Sequence, residues 1–334
     1  MILDMKVVDI NGIDSIKWNR FVEKHPLGNI FQTEEMYEVY CHTSNSFPVV
    51  LAVEDYGVMK GLLLAVVITN GGRLLKPLTA RSIIYGGPLV VDNDEKTLEL
   101  LLTEYKKRLP WYVVYSEIRP VYNLQPIEKR LMLFGFERVG HYNIMLNINK
   151  DESVLWEQLH KERRRNISCA EKKGLTFKEV ELDDEIMQIT RLIERTYERK
   201  KVPMSNSDMF IQLKQIMKQR VHFFAAFFEG KMIAGQVRLC YNDLVYAWYA
   251  GSDDSYLKLR PNDFLMWNVI LWAHEKGFRV FDFGGGGEPG VPYGVRDYKL
   301  KYGCELHEFG RFIYKHHHLI YSIGKLYAQK VIIR

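Results

Sequence analysis

The sequence predicts a mixed α/β fold, with an α+β mixed sheet, built as two tandem copies of one unit. The chain has 334 residues, more than one core usually holds, so two domains of roughly 150 residues each are expected. Apolar residues make up 47% and charged residues 26%, values typical of folded globular proteins. The same landmarks also recur in both halves of the chain. We therefore predict a first domain at 1–150 and a second at 151–334.

The first landmark is a predicted β-hairpin in each half. Residues 49–62 and 223–236 both read as an apolar strand, a short turn and a second strand entered through glycine. Each turn begins with an acidic residue and contains glycine, which is typical of tight hairpins. The two segments predict the same local structure in both halves.

Further landmarks follow each hairpin in the same order. In turn they are an aromatic-x-Gly segment, a helical pattern, a strand and an aromatic-Gly-x-Glu segment. They lie at 85–87, 94–109, 111–118 and 134–137 in the first half, and at 249–251, 261–276, 278–283 and 302–305 in the second. Their offset of about 165 to 175 residues indicates duplication.

Each unit therefore reads as helices, a meander of antiparallel strands, a helix and further strands, with helices on both faces of the sheet. We predict that the helical stretch 151–173 is the linker between the units, followed by a strand at 175–180. Residues 316–330 predict a C-terminal helix.

The net charge, the cysteine spacing and the apolar runs indicate which cellular compartment and which binding partners to expect. The net charge of +5 permits a polyanionic partner without requiring one. Four widely spaced cysteines form no C-x-x-C pair, which argues against a disulfide framework or zinc ribbon. Apolar runs are too short to span a bilayer, and the N-terminus lacks a secretion signal. We expect a cytoplasmic protein, free or peripheral at the inner membrane face.

Four stretches together resemble the FemAB-type peptidyltransferases, which are tandem members of the GNAT (GCN5-related N-acetyltransferase) fold. They cover most of the chain in the expected order. The stretches are 29–33, 163–175, 248–262 and 281–303. The resemblance implies two tandem GNAT-like acyltransferase domains. The first would be a scaffold and one wall of the acceptor cleft, and the second would be catalytic.

The resemblance also implies an aminoacyltransferase activity. The donor would be aminoacyl-tRNA, and the acceptor an amine on a peptidoglycan precursor. Two departures from the family pattern matter here: the long helical hairpin of some members is absent, and Tyr40 stands near the place of a diphosphate-binding lysine. The second departure argues against a nucleotide-linked acceptor. The acceptors still open are a lipid-linked precursor at the membrane surface and another amine.

Direct aminolysis needs a deprotonated amine and stabilisation of the oxyanion. No nucleophile motif such as G-x-S-x-G occurs, so no covalent intermediate is expected. Lys299 follows a glycine-rich turn, and the resemblance implies that it stabilises the oxyanion. Asp282 interrupts an apolar strand, so it must be paired or lie near a cleft. It is a candidate general base, an orienting group for Lys299 or a structural residue.

The candidate substrate-binding residues are Tyr249, Gly284, Gly285, Tyr298, Arg199, Arg164 and Arg165. The glycines would permit close backbone approach to a ligand. Arg164 and Arg165 belong to a basic run, 161–173, that could hold phosphates of tRNA or of a lipid diphosphate. A solvated face interleaved with glutamates is the alternative.

A metal site and a bound cofactor are not expected. His316, His317 and His318 are consecutive and cannot share one helix face, which argues against zinc. DNA is not an expected partner.

Two other functions stay open. One is an acyl-CoA-dependent N-acyltransferase acting on a sugar or small amine in polysaccharide biosynthesis. Against it, the Gln/Arg-x-x-Gly-x-Gly/Ala loop that grips the pyrophosphate of CoA is missing. The other is a non-catalytic tRNA- or glycan-binding module, which the presence of Asp282, Gly285 and Lys299 together makes less attractive.

Overall fold

The chain folds into two compact units. The computed structural model describes residues 5–69, 76–202, 204 and 206–332. Unit 1 comprises residues 1–140 and 309–334, and unit 2 comprises residues 141–308.

The strands of both units are numbered in chain order. They are β1 Met5–Asp9, β2 Ser46–Asp55, β3 Val58–Ile68, β4 Arg81–Tyr85, β5 Leu89–Val90, β6 Tyr115–Arg119, β7 Glu137–Val139, β8 Asn143–Asn147, β9 Thr176–Val180, β10 Val221–Phe228, β11 Lys231–Tyr241, β12 Leu244–Ser252, β13 Val280–Gly285, β14 Glu305–His307 and β15 Arg311–Lys315.

The α-helices are numbered in the same way. They are α1 Ser15–Lys24, α2 Glu34–Cys41, α3 Lys76–Thr79, α4 Glu95–Arg108, α5 Gln125–Phe134, α6 Glu152–Gln158, α7 Lys161–Lys172, α8 Asp183–Arg199, α9 Asp208–Met217, α10 Pro261–Glu275, α11 Gly294–Leu300 and α12 His318–Ile332. Short 3-10 helices span Ile30–Gln32, Val91–Asn93, Lys218–Arg220 and Asp254–Leu259. Within the described residues, no helix is both long enough and apolar enough to cross a membrane.

The two sheets have equivalent strand orders. Unit 1 reads β1-β2-β3-β4-β6-β15-β7, with β5 beside β3. Unit 2, read from its other end, gives β9-β10-β11-β12-β13-β8-β14. In each sheet the fourth and fifth strands pair in parallel, β4 with β6 and β12 with β13. The predicted mixed sheets and the predicted duplication are confirmed.

The hairpins of the two units have the same turn. Tyr56 and Gly57 connect β2 to β3, and Glu229 and Gly230 connect β10 to β11. All four residues have positive φ, between 48° and 77°. Tight hairpin turns of this kind match the twist of the flanking strands. Local sequence thus sets the same register in both units.

The predicted domain boundaries at 150 and 151 are wrong, because one strand of each sheet comes from the far side of the boundary. Strand β8 follows β7 along the chain but pairs with β13 and β14 of unit 2. Strand β15 follows β14 but pairs with β6 and β7 of unit 1. The segment 309–334 therefore belongs to unit 1 rather than to the second domain.

The predicted linker at 151–173 is also wrong. Its residues form α6 and α7, whose side chains Leu155, Leu159 and Ile167 are buried in the core of unit 2. That core also takes Phe281 from the sheet and apolar residues from α10. On the opposite face α8 lies close to the strands, because a Cβ on Gly235 would overlap Ile189. Helices thus cover both faces of the unit 2 sheet, as expected.

Candidate active site

A gap opens in the unit 2 sheet between the parallel strands β12 and β13. They pair only at Leu244–Tyr246 with Val280–Asp282, although β12 continues to Ser252. A bulge at Trp248 interrupts the pairing of β12 with β11, which places an extra residue beside the gap. Ligands of open α/β sheets approach where strands separate at their carboxyl ends. The candidate active site is built around this gap.

Asp282 is the acidic group of the site. Its side chain, on β13, is fully buried, and one carboxylate oxygen accepts a hydrogen bond from the Gly284 amide at 2.6 Å. Among the described residues the other oxygen, Oδ2, has no hydrogen-bond partner. Burial raises the pKa of Asp282 to about 7, against the opposing effects of the Gly284 amide and the Lys299 charge. Asp282 can therefore exchange a proton near neutral pH.

Lys299 is the basic group of the site. It lies on α11, and its Nζ donates a hydrogen bond to the Gly285 carbonyl oxygen at 2.8 Å. Burial lowers the pKa of Lys299 to about 8, although the charges of Asp282 and Cys304 oppose the shift. An ammonium has three donors, so two remain for a ligand. Groups whose pKa values are shifted close to the working pH are suited to acid–base chemistry.

The glycine turn after β13 connects the two groups. The amide of Gly284 binds Asp282, and the carbonyl of Gly285 binds Lys299. Gly284 has φ +74°, a conformation that favours glycine. A Cβ on Gly286 would lie 2.9 Å from Ile144. The predicted residues Gly284 and Gly285 thus lie at the site, where they fix the carboxyl and amino groups to one turn.

Tyr298, predicted to bind substrate, belongs to a buried polar cluster. Its hydroxyl lies 2.9 Å from that of Tyr302, and Tyr302 donates to Asp263 at 3.1 Å. The Arg163 guanidinium pairs with Asp263 and lies 4.5 Å from the centre of the Tyr298 ring. This cluster holds α11 against α7 and α10, next to Lys299. Arg163 is therefore a core residue, although it belongs to the basic run 161–173 that was predicted to hold phosphates.

The other predicted binding residues make separate contacts. Tyr249 packs against the rings of Tyr197 and Phe210, with centroids 5.5 and 5.2 Å away. Arg199 pairs with Asp254 at the surface.

The basic face of α7 is likewise apart from the acid–base pair. Arg164 donates to the Glu157 carbonyl oxygen at 3.2 Å, and Arg165 is exposed. In the part of the chain that the structure describes, neither arginine contacts Asp282 or Lys299, and the same holds for Arg199.

Sequence reasoning missed Arg238, on β11. Its side chain is 1% exposed, and it donates to the carbonyl oxygens of Val237 at 3.0 Å and Tyr249 at 3.4 Å and to Gln236. Within the described residues it has no carboxylate partner, and burial lowers its pKa to about 9. Its charge also helps to lower the pKa of Lys299. The available signal was an arginine inside an otherwise apolar strand.

The consecutive histidines of unit 1 have separate partners. A ring nitrogen of His316 lies 2.8 Å from the Ser116 hydroxyl, and one of His317 lies 2.7 Å from the Trp111 carbonyl oxygen. Over the described ranges, no group of three or more His, Cys, Asp or Glu side chains is arranged to hold a metal ion.

The second unit of the chain matches a known protein family. Residues 158–300 match the family described as acetyltransferase (GNAT) domain. This segment contains Asp282 and Lys299. No curated protein sequence matches the chain at a significant level.

Several solved structures share the whole architecture. The structure of FemX has a TM-score of 0.72 at 15% identity, covering 95% of this chain and 99% of that chain. The C-terminal domain of a putative lysylphosphatidylglycerol synthetase from Agrobacterium fabrum has a TM-score of 0.57 at 14% identity, covering 90% of each chain. A tandem GNAT protein from the clavulanic acid biosynthesis pathway has a TM-score of 0.59 at 10% identity, covering 94% of this chain and 99% of that chain.

These likenesses confirm the tandem GNAT fold and the resemblance to FemAB-type proteins. The chain thus has the tandem GNAT fold, and its second unit contains the segment that matches the acetyltransferase (GNAT) domain family.

Proposed function

We propose that unit 2 transfers an aminoacyl group from aminoacyl-tRNA to an amine by direct aminolysis. The observation that supports this most is the buried Asp282 together with the half-buried Lys299 at the gap between β12 and β13. Each is connected to the same glycine turn, and each has a pKa near neutrality. The resemblance to FemAB-type proteins supports the choice of donor.

In the proposed reaction the acceptor amine attacks the ester carbonyl of the donor. The amine gives its proton to Oδ2 of Asp282, which has no partner among the described residues. The Lys299 ammonium donates a hydrogen bond to the developing oxyanion. A carbon–nitrogen bond forms, the ester carbon–oxygen bond breaks, and a proton passes to the ribose hydroxyl that leaves. Asp282 suits the role of base because its pKa of about 7 lies near the working pH.

The acceptor in this proposal is an amine on a cell-wall peptide precursor, lipid-linked at the inner membrane face. The FemAB resemblance supports a peptide amine. One structural neighbour is named for lysylphosphatidylglycerol, which supports an acceptor presented by a lipid. The protein would then work in the cytoplasm, at the membrane surface.

Four basic side chains on one face of α7 are the proposed contact for tRNA phosphates. They are Lys161, Arg164, Arg165 and Lys172, of which Arg164 is half-buried. Phosphate contacts supply most of the affinity of such complexes and make it dependent on salt. Arg163 is excluded from this set because its guanidinium is buried against Asp263.

An acyl-CoA donor is less well supported. In single-domain relatives the backbone amides of a Gln/Arg-x-x-Gly-x-Gly/Ala loop grip the pyrophosphate of CoA, and that loop is missing here. The helix that follows β12 is α10. Its first residue is Pro261, which has no N–H, and its first turn contains the buried carboxylate of Asp263. Because Arg163 pairs with that carboxylate, the missing N–H of Pro261 is the feature that disfavours pyrophosphate binding there. One structural neighbour, the tandem GNAT protein, is described in a form without acetyl-CoA, so this donor belongs in the test.

The test offers the purified full chain either a charged tRNA pool or acetyl-CoA, with a peptide amine as acceptor. We expect acyl transfer from charged tRNA and its loss in Lys299→Met. Transfer from acetyl-CoA alone would favour the second donor. Equal activity of Lys299→Met would contradict the assigned centre.

Binding of tRNA separates the donor surface from the chemistry. Arg164→Ala/Arg165→Ala should weaken binding and reduce the slope of log K against log salt by about one to two. The control is Lys96→Ala/Lys129→Ala, which removes the same charge from exposed positions of unit 1. Equal weakening by both variants would reject α7 as the specific contact.

A further inference from the structure

Unit 1 contains a pocket that the proposed chemistry of unit 2 does not use. It has a volume of about 750 Å³ and lies between α1, the turn from β2 to β3 and the segment before α4. Volumes of this size are typical of small-ligand sites. All of its lining residues belong to unit 1.

One wall of the pocket is cationic. Lys17, Arg20 and Lys24 follow one face of α1 at spacings of three and four residues, and all three are exposed. Within the described part of the chain, Arg20 and Lys24 form no ion pair, and Lys17 donates to the Gly57 carbonyl oxygen. Asp92 is the acidic residue in the lining. The excess positive charge favours an anionic ligand.

The remaining walls are mainly apolar. Phe21, Leu27 and Val91 line the pocket together with Pro126 and Val58. Val58 is 57% exposed, which leaves a β-branched side chain of a tight hairpin in contact with solvent. Burying this surface against a hydrocarbon group would be favourable by about 25 cal/mol per Å². A ligand with an apolar body therefore fits better than a simple anion.

Hydrogen bonds hold these walls in place. Lys17 Nζ lies 2.8 Å from the Gly57 carbonyl oxygen, which ties α1 to the hairpin turn. His25 Nδ1 accepts from the Leu27 amide at 3.1 Å, so Nε2 carries the proton that it shares with the Val90 carbonyl oxygen at 3.2 Å. In this arrangement His25 is a neutral connection between α1 and the segment before α4. The three cations of α1, rather than His25, would therefore balance the negative charge of a ligand.

We propose that this pocket binds an anionic amphiphile, a molecule with a phosphate head group and a hydrocarbon body. The phosphate contacts Arg20 and Lys24 at the mouth, and the hydrocarbon body packs against Phe21, Leu27 and Val58. The site is separate from the acid–base pair of unit 2, so binding does not depend on the proposed reaction.

The test is calorimetric binding of dodecyl phosphate to the full chain, below the critical micelle concentration. Inorganic phosphate and dodecyl maltoside serve as the head-group and chain controls. We expect binding of dodecyl phosphate, and at least tenfold weaker binding of either control. Equal binding of dodecyl maltoside would reject the role of charge, and equal binding of inorganic phosphate would reject the apolar part.

Two variants locate the site. Arg20→Ala/Lys24→Ala should weaken dodecyl phosphate binding at least tenfold, and Val58→Ser should weaken it several-fold. Both changes are at exposed positions, so folding should persist, which circular dichroism checks. The control Lys276→Ala/Arg279→Ala removes the same charge from exposed positions of unit 2. The proposal is wrong if the control weakens binding as much as the pocket variants, or if neither pocket variant changes it.

Discussion

Glu117 and Asp282 stand at equivalent positions of the two sheets. Each is the third residue of the strand that pairs in parallel with its neighbour, β6 in unit 1 and β13 in unit 2. Each carboxylate is buried. The duplicated framework therefore places an acidic group at the same point twice.

Their surroundings differ. Glu117 accepts hydrogen bonds from Arg119 at 2.8 Å and from Arg311 at 2.7 Å. Burial raises the pKa of Glu117, but the two arginine charges outweigh it and hold the pKa at about 2. Asp282 has no such partner within the described residues, and burial raises its pKa to about 7. The arginines keep the Glu117 carboxylate ionised, whereas the Asp282 carboxyl, without such a partner, exchanges its proton near neutral pH.

The position of Lys299 in unit 2 and the equivalent position in unit 1 also carry different side chains. Lys299 lies three residues before the aromatic residue of its Tyr-Gly segment, and Leu131 lies three before that of the Phe-Gly segment. Leu131 is fully buried in the apolar core of unit 1. Unit 1 thus retains the fold of the centre without its acid–base pair. The two units therefore share a fold and differ at this point in a few charged side chains, and the proposed chemistry rests on those side chains.

The largest expected effect is the loss of transfer activity in Lys299→Met. Removing an oxyanion donor costs about a hundredfold or more in rate, or roughly 3 kcal/mol. The measurement is single-turnover transfer with saturating donor. The matched control is Leu131→Met at the equivalent position of unit 1, where activity should stay within a few-fold of wild type. If Lys299→Met transfers at a rate close to that of the control, the two equivalent positions do not differ in catalytic role.

The next effect is on stability, in Glu117→Gln. The change leaves Arg119 and Arg311 without their carboxylate, and breaking a buried pair costs about 3 kcal/mol or more. Because the folded pKa of Glu117 is about 2, below its unfolded value, its contribution is present above pH ~4 and is lost as pH falls towards 2. Urea unfolding at pH 7 and pH 3 measures both effects. A variant that loses equal stability at the two pH values would contradict the ion-pair explanation.

Asp282→Asn should raise stability, in contrast to Glu117→Gln, and should lower transfer activity. The folded pKa of Asp282, about 7, exceeds its unfolded value of roughly 4, so its ionisation destabilises the fold as pH rises between these values. The variant should be more stable than wild type at pH 8, by up to about 4 kcal/mol, and about equal at pH 4. Thermal unfolding at both pH values tests this, and a loss of stability at pH 8 would show that Asp282 is structural.

The smallest effect is a shift of the pH–rate profile in Arg238→Gln. If Lys299 acts as an ammonium, activity falls as pH rises through its pKa of about 8. Arg238 lowers that pKa, so removing its charge should move the alkaline limb upward by a few tenths to about one pH unit. Met266→Leu is the control, since its sulfur contacts Arg238 at 3.7 Å without contributing charge. An unshifted limb in Arg238→Gln would leave Arg238 with a packing role only.

Much of the fold follows from local sequence. The hairpins are encoded by Tyr56-Gly57 and Glu229-Gly230, and α10 begins at Pro261 and ends before Gly277, as predicted. Asp282 could be identified because a carboxylate inside an apolar strand needs an explanation. These features depend on neighbours in the chain, which is why one sequence suffices to predict them.

Most of the features that were missed depend on distant partners. Arg163 lies in a basic run, yet its partner Asp263 is a hundred residues away. Arg238 was missed for a different reason: its partners are close in sequence, but two of them are backbone carbonyls, which no side-chain pattern encodes. Strands β8 and β15 have ordinary strand sequences, and nothing local specifies which sheet receives them.

The exchange of β8 and β15 reverses the usual order of events during protein synthesis. The ribosome makes β8 before the rest of unit 2, so the unit 2 sheet has all its strands once β14 has emerged. Unit 1 is begun first, but its β6 edge stays open and β7 stays unpaired until β15 has been made. Arg311, a counter-ion of Glu117, arrives on that same strand. We expect the first half of the nascent chain to finish folding last, contrary to the common order in which the N-terminal domain folds first.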